Sequence, residues 1–319
     1  MASGGGELAL PCASDVRQRA LATAIRFGIM GLQRSAIASA VIAGAVIMAG
    51  AVAWAGSQGG AELGGIPVMV LSAAIAFVVQ WLAFVPAYWK QTEHFYDLAG
   101  SLTYMLVTGF ALVVSRPNDA RSAILGLLVF IWASRLGSFL FRRVRSAGSD
   151  PRFDEIKPSA SRFLVAWTLQ GLWVFLTLCA ALAAITTMRP SALGLLDGLG
   201  VAIWVVGFAI EVTADRQKSG FRANNPGHYV HTGLWAWSRH PNYFGEIVLW
   251  IGIAIIASST LRGWQWVTMI SPVFVIFLLT RVSGIPLLEK RADERWGDHE
   301  SYQSYKAKTP ALVPRPPRR

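Results

Sequence analysis

The chain has 319 residues, of which 54% are hydrophobic and only 15% charged, with a formal net charge of +11. A soluble domain carries about 25% charged residues to wet its surface, so this composition excludes an ordinary soluble protein, and its apolar content excludes disorder. Only two cysteines, Cys12 and Cys179, are present, which excludes a disulfide scaffold.

In chain order, long apolar runs lie at 36–55, 66–87, 97–115, 122–141, 163–186, 193–213, 245–258 and 264–283. A helix needs about 20 apolar residues to cross the hydrocarbon of a bilayer, and most of the runs reach that length. The run at 245–258 is shorter, and reads either as a tilted span or as a re-entrant hairpin with the run after it. Both choices return the chain to the same side. None of the runs shows the sustained apolar/polar alternation of a membrane β-barrel. The expectation is an all-α, polytopic membrane bundle of seven to eight transmembrane helices. Gly44, Gly50, Gly207 and Gly252 are suited to close helix packing in lipid.

The basic residues are unevenly divided. With the N-terminus inside, 24 of the 29 fall on one side, and only Arg116, Arg121, Arg189 and Arg262 fall in loops of the other. Arg135 alone lies within a span. This bias places both termini in the cytoplasm by the positive-inside rule. It also accounts for the pI near 10.2 without a nucleic-acid partner. Arg17, Arg19, Arg26 and Arg34 precede the first run with no cleavage site before it, so no cleaved signal is expected. The Pro/Arg-rich end 314–319 reads as a basic tail near anionic lipid.

Polar density is concentrated at 211–250. Lys218 and Arg222 are four apart and share a helix face. Two cations so placed suit either a phosphate-bearing ligand or lipid headgroups. Arg239-His240-Pro241-Asn242-Tyr243 is followed by Gly245 and Glu246 at the mouth of an apolar run. Proline restricts the residue before it to extended backbone, so Asn242 and Tyr243 are aimed from a helix entry. A carboxylate such as Glu246 is costly at a span unless paired, and Arg239 or a ligand amide would serve. A polar loop capping a helix at the interface is the plainer alternative.

The stretch Gly-Leu-Trp-Ala-Trp-Ser-Arg-His-Pro-Asn-Tyr-Phe-Gly-Glu, residues 233–246, resembles the signature of the steroid 5-alpha-reductase family. That family is related to the sterol C14 reductases and, more distantly, to the isoprenylcysteine carboxyl methyltransferases. Gln217-Lys218-Ser219-Gly220-Phe221-Arg222, Asn224-Asn225-Pro226-Gly227, Trp296-Gly297, Tyr302, Tyr305 and Leu312-Val313-Pro314 extend the similarity over 211–314. Phe95-Tyr96-Asp97 and Ser134-Arg135-Leu136-Gly137 are more weakly similar to the bacterial branch, which would place the chain in a bacterial inner membrane.

The resemblance implies NADPH-dependent reduction of the Δ4 double bond of a 3-oxo steroid or sterol-like lipid, with the cofactor in a cytoplasm-facing cavity. By motif position, Lys218 and Arg222 would meet the cofactor phosphates. Tyr229, Arg239, His240, Asn242, Tyr243 and Glu246 would surround its ribose and nicotinamide, with Trp250 packed nearby. Tyr302 and Tyr305 would close the pocket, and Arg135 would be a further contact. The division that follows is a cytoplasmic segment 1–35, N-terminal helices on the lipid side at 36–192, a cofactor region at 193–314 and a tail at 315–319.

Steroid reductases resemble one another in using a Gln-Glu pair and a tyrosine at the substrate oxygen. The chain has no clean match to that pair; Gln80, Glu93, Tyr96, Asp97 and Tyr104 are the nearest groups. Asp97 and Tyr104 are seven apart and face the same way on a helix, so they are the expected catalytic pair, with Tyr96 behind them. An interfacial aromatic belt would equally explain both tyrosines. The histidines at 94, 228, 231, 240 and 299 lack ligand spacing, so no metal is expected, and no obligatory protein partner is evident. Competing readings are a sterol C14-type reductase, a methyltransferase using S-adenosylmethionine, and a sterol-binding membrane protein without chemistry.

Overall fold

The computed structural model describes the backbone of residues 13–115, 119–147, 153–189 and 191–317, and side chains within 35–142 and 153–317. Cys12, Arg116, residues 148–152, the side chains of Arg17, Arg19, Arg26 and Arg34, and the terminal Arg318-Arg319 lie outside the described residues.

The fold is an all-α polytopic membrane bundle. Its helices are α1 (Ala13–Gly56), α2 (Val68–Trp89), α3 (Tyr96–Val114), α4 (Ala120–Ala147), α5 (Ala160–Ile185), α6 (Leu195–Asn224), α7 (Pro241–Ser258), α8 (Ile270–Phe277), α9 (Ile285–Trp296) and α10 (Glu300–Lys308). Strands β1 (Glu62–Leu63) and β2 (Ile66–Pro67) form a two-stranded hairpin between α1 and α2. Eight helical stretches among the described residues are long and apolar enough to cross a bilayer.

The boundaries depart from the sequence expectation in three places. The helix of the first span begins at Ala13, inside the segment read as a cytoplasmic lead. The short seventh run is a full 18-residue helix, because Pro241 starts it and draws Asn242 through Phe244 into its first turn. Proline is preorganised for that position and its missing N–H costs nothing there. The eighth run is not one regular helix. It enters as a 3-10 segment (Gly263–Met269), continues as α8 and ends in a π-helical turn (Leu278–Val282).

Helix α5 is the core of the bundle and packs on α1, α2, α3, α4, α7 and α8. Every residue from Val174 to Ile185 is buried, as expected of a helix apolar all round. Helices α6 and α7 form the most extensive pair. Gly207 faces Gly245 and Gly200 faces Gly252 across an antiparallel contact; a methyl on Gly207 would sit 2.5 Å from the Leu249 nitrogen, and one on Gly252 2.6 Å from the Gly200 carbonyl oxygen. Small residues permit this backbone approach in lipid, where dispersion must replace the hydrophobic effect between helices. The approach brings the polar end of α6 against the polar start of α7.

At the opposite end, Arg121 on the first turn of α4 is 1% exposed. Its Nε and Nη2 donate to the two carboxylate oxygens of Asp197 on α6 at 2.7 and 2.9 Å. Its remaining N–H groups reach Ser191 O at 3.1 Å, Ser191 Oγ at 2.9 Å and Ala192 O at 3.0 Å. A bidentate guanidinium with its donors filled is a structural clamp, although this arginine reads in the sequence as an ordinary loop cation.

Candidate functional site

Where α4, α6 and α7 meet, three carboxylates gather about one guanidinium. Arg135 on α4 donates from Nη1 to Glu211 and from Nη2 to Asp215, at 2.5 Å each. Glu211 and Asp215 are one helical turn apart on α6, so both face α4. Asn242, on the first turn of α7, donates from Nδ2 to the other oxygen of Asp215 at 3.2 Å. Glu246 lies one turn further along α7, 8% exposed, with no hydrogen bond to a described residue.

An aromatic wall adjoins the cluster. Trp132, one turn before Arg135, stands edge-on to both Tyr104 on α3 and Trp250 on α7, with ring centres 5.0 Å away in each case. Among the described residues, Trp250 Nε1 and Asn242 Oδ1 are buried without a hydrogen-bond partner, while the Tyr104 hydroxyl turns toward Thr177 and Trp132 Nε1 toward Glu211 without reaching good hydrogen-bond geometry. An unsatisfied buried polar group costs roughly 1–3 kcal/mol, and such groups also occur elsewhere in the bundle, among them Ser72, Thr108 and Trp204.

The loop 225–240 and the C-terminal helices form a second polar region. Arg239 does not pair with Glu246. Its Nε and Nη2 engage Glu289 on α9 at 3.1 and 2.9 Å, and its Nη1 donates to the carbonyls of Lys306 and Thr309 at 2.6 and 2.8 Å. His240 Nε2 is 2.7 Å from the same Glu289. Burial holds this imidazole below its ordinary value, against the opposing pull of Glu289. The Ser238 hydroxyl donates to Leu312 O at 2.8 Å and Arg315 N to Trp237 O at 2.9 Å. These bonds strap the C-terminal segment onto the start of α7.

Beside the strap, Tyr229 stacks on Tyr305 with ring centres 5.3 Å apart and meets Tyr302 and Trp296 edge-on at 5.2 and 5.9 Å. The Tyr305 hydroxyl donates to Trp235 O at 2.7 Å. Burial raises both phenols, Tyr302 to about 12, so at neutral pH they are donors and not bases. Lys218 lies half-buried near the end of α6 with its ammonium 4.7 Å from the centre of the Trp235 ring, and Arg222, one turn on, is exposed. Tyr243 stacks on His240 at 5.8 Å.

Of the catalytic candidates, only Tyr104 reaches the aromatic wall. Tyr96 donates its hydroxyl to Ala166 O at 2.9 Å within a separate cluster containing Phe153 and Trp167. Asp97 is on the first turn of α3, two turns and about 10 Å of helix rise from Tyr104. Gln80 is fully buried and donates to Thr103 Oγ1 at 2.7 Å, and Glu93 is bound to Lys157 at 2.6 Å. No group of three metal-ligating side chains occurs among the described residues.

The bare list of candidates omits Glu211, Asp215 and Trp132. The signal was present in part. Two carboxylates four apart near the end of a span, with a lone intramembrane arginine elsewhere in the chain, invite pairing, since each alone is costly in lipid. Nothing in the sequence pointed to Trp132.

These features define a polytopic helical membrane protein with a buried polar cluster beside its most extensive helix pair. Residues 83–309 match the family described as "Protein of unknown function (DUF1295)", and the chain belongs to that family, one similar to the steroid 5-alpha-reductases. The chain is 32% identical over 117 residues to the steroid 5-alpha-reductase DET2 of Gossypium hirsutum and 30% identical over 117 residues to the 3-oxo-5-alpha-steroid 4-dehydrogenase 1 of Rattus norvegicus. Each match covers 36% of this chain and 40% of the relative, so the chain spans about two fifths of the length of the steroid reductases it matches. An uncharacterized protein of Schizosaccharomyces pombe is 23% identical over 215 residues, covering 57% of this chain and 61% of that protein. No solved structure matches the chain.

Proposed function

We propose that the protein is an oxidoreductase of the membrane that reduces the Δ4 double bond of a 3-oxo steroid or related lipid enone at the expense of NADPH. One observation carries the reading: carboxylates and an amide carbonyl gather about the single Arg135 guanidinium in excess of its donors, beside the rings of Tyr104, Trp132 and Trp250. The likeness to named steroid reductases over part of the chain supports it.

The residues fit the cofactor. Glu211, Asp215, Glu246 and the Asn242 carbonyl offer more acceptors than Arg135 and Asn242 Nδ2 can fill. A ligand rich in N–H and O–H donors, such as a nicotinamide carboxamide with its ribose, answers that excess. Lys218 and Arg222 would hold the phosphates, in keeping with the preference of such cations for oxyanions, and Tyr229 and Tyr305 offer aromatic faces next to them. When bound, the dinucleotide supplies hydride to the enone β-carbon. Tyr104 Oη–H donates to the substrate 3-oxygen, where negative charge builds as the hydride arrives, so its bond strengthens in the transition state. The α-carbon of the resulting enolate takes up a proton that comes ultimately from solvent, which completes the reduction. Trp132 and Trp250 exclude water from the pocket, which strengthens each polar contact in it. The helices at 36–192 would form the lipid-substrate side and 193–314 the cofactor side, with both termini cytoplasmic.

Full-length protein purified in detergent, mixed with NADPH and progesterone, tests this directly. The expected result is NADPH oxidation that requires the steroid. Methyl transfer from S-adenosylmethionine, or steroid binding without turnover, would replace the reading. Mass spectrometry of the denatured extract should in addition find a co-purified dinucleotide.

A further inference from the structure

Arg189 and Arg262 sit on the side that the charge bias leaves nearly free of cations, at the end of the bundle away from the acidic cluster. The third described arginine there, Arg121, is consumed by Asp197. Both Arg189 and Arg262 are exposed, and neither forms an ion pair with a described residue. They nonetheless converge on one recess of about 130 Å³, lined also by Gln58, Gly59, Thr187 and Gln265. A water occupies about 30 Å³ of liquid, so the recess has room for a small oxyanion.

Three connections build the recess. Gly60 bridges to Thr187, Met188 N donates to Gly59 O at 3.1 Å, and Trp264 N donates to the Gln58 side chain at 2.7 Å. Gly59 and Gly263 take left-handed backbone, φ +69° and +49°, at the two turns where the chain bends around it. Gln265 is only 2% exposed; its carbonyl accepts from Arg262 N at 3.0 Å, while its Nε2 is buried with no partner. Gln265 thus brings to the wall shared with Arg189 and Arg262 an amide donor that no described residue takes up. Trp54, Trp264 and Trp266 are 71%, 73% and 51% exposed around this end, the placement of aromatic side chains at headgroup depth.

We infer that this recess binds a phosphate oxyanion, from the headgroup of a membrane lipid or from free phosphate, through Arg189, Arg262 and the Gln265 amide. Paired guanidiniums match phosphate geometry, and an anion there explains two unpaired cations on a face that carries few others. The site is independent of the reduction chemistry and lies at the other end of the helices.

Thermal unfolding of the full-length protein in a maltoside detergent tests it, with phosphatidylglycerol, inorganic phosphate and uncharged diacylglycerol as separate probes. Wild type is expected to gain a saturable rise in melting midpoint with a phosphate-bearing probe and none with diacylglycerol. In the Arg189→Gln/Arg262→Gln variant the apparent affinity should fall about tenfold or more, and in Gln265→Met by a smaller factor. A shift with inorganic phosphate identifies a free anion as sufficient; a shift with phosphatidylglycerol alone identifies the lipid. The inference is overturned if neither phosphate probe moves the wild type, or if the double variant responds as the wild type does.

Discussion

Two arginines near the membrane, Arg121 and Arg135, begin from the same predicament and resolve it differently. Arg121 has its N–H groups filled by both oxygens of Asp197 and the Ser191 and Ala192 acceptors, although one buried oxygen of Asp119, 3.7 Å from its Nη1, has no hydrogen bond. Arg135 holds two carboxylates, yet around it remain an Asn242 carbonyl without a partner among the described residues and a third carboxylate, Glu246. A saturated buried charge holds helices together. An unsaturated one, such as Arg135 with carboxylates in excess of its donors, is what the proposed ligand site would use. Burial and charge do not tell the two apart; the number of acceptors gathered around each guanidinium does.

Substitutions can break that comparison. The largest effect is expected at the unsaturated end: Asn242→Ala and Glu246→Ala should each lower steroid-dependent NADPH oxidation at least about 100-fold, with the melting midpoint within a few degrees of wild type. Unchanged turnover in both would remove these residues from the pocket. At the saturated end the signs reverse. Asp197→Ala leaves a buried guanidinium uncompensated and should destabilise by about 3–5 kcal/mol, seen in denaturant or thermal unfolding, while turnover per folded molecule stays near that of wild type. A large loss of turnover without loss of stability would place Arg121 and Asp197 among functional groups instead.

The smallest effect concerns the strap. Burial holds the folded His240 below the ordinary imidazole value near ~6.5, so the unfolded chain binds the proton more readily. Stability therefore falls as pH drops below about 6.5 and is insensitive to this group above it. A melting series from neutral to mildly acidic pH should show this decline, and His240→Gln should flatten it; an equal slope in both proteins would assign the decline elsewhere.

How much of this was legible beforehand differs by element. The apolar runs disclosed the spans because a bilayer demands a length that few soluble segments possess. The start of α7 was misjudged by four residues, since Asn242 and Tyr243 look like loop while Pro241 makes them first-turn helix. The motif around 233–246, with Trp250 one turn beyond it, mixes two kinds of residue. Asn242, Glu246 and Trp250 border the cluster, whereas Arg239 and His240 are spent on Glu289 and on carbonyls of the C-terminal strap. Spacing along one helix could not separate them, because the partners lie 49 to 70 positions further on.

By itself the sequence determined that the chain is helical and crosses a membrane, and that its polar chemistry gathers after the sixth span, because hydropathy and charge act locally along a chain. Only the tertiary structure decided which polar groups are used up and which are left waiting. That choice depends on the Gly207–Gly245 approach of α6 to α7 and on where α4 lies against them, distances set by packing between segments far apart in the chain.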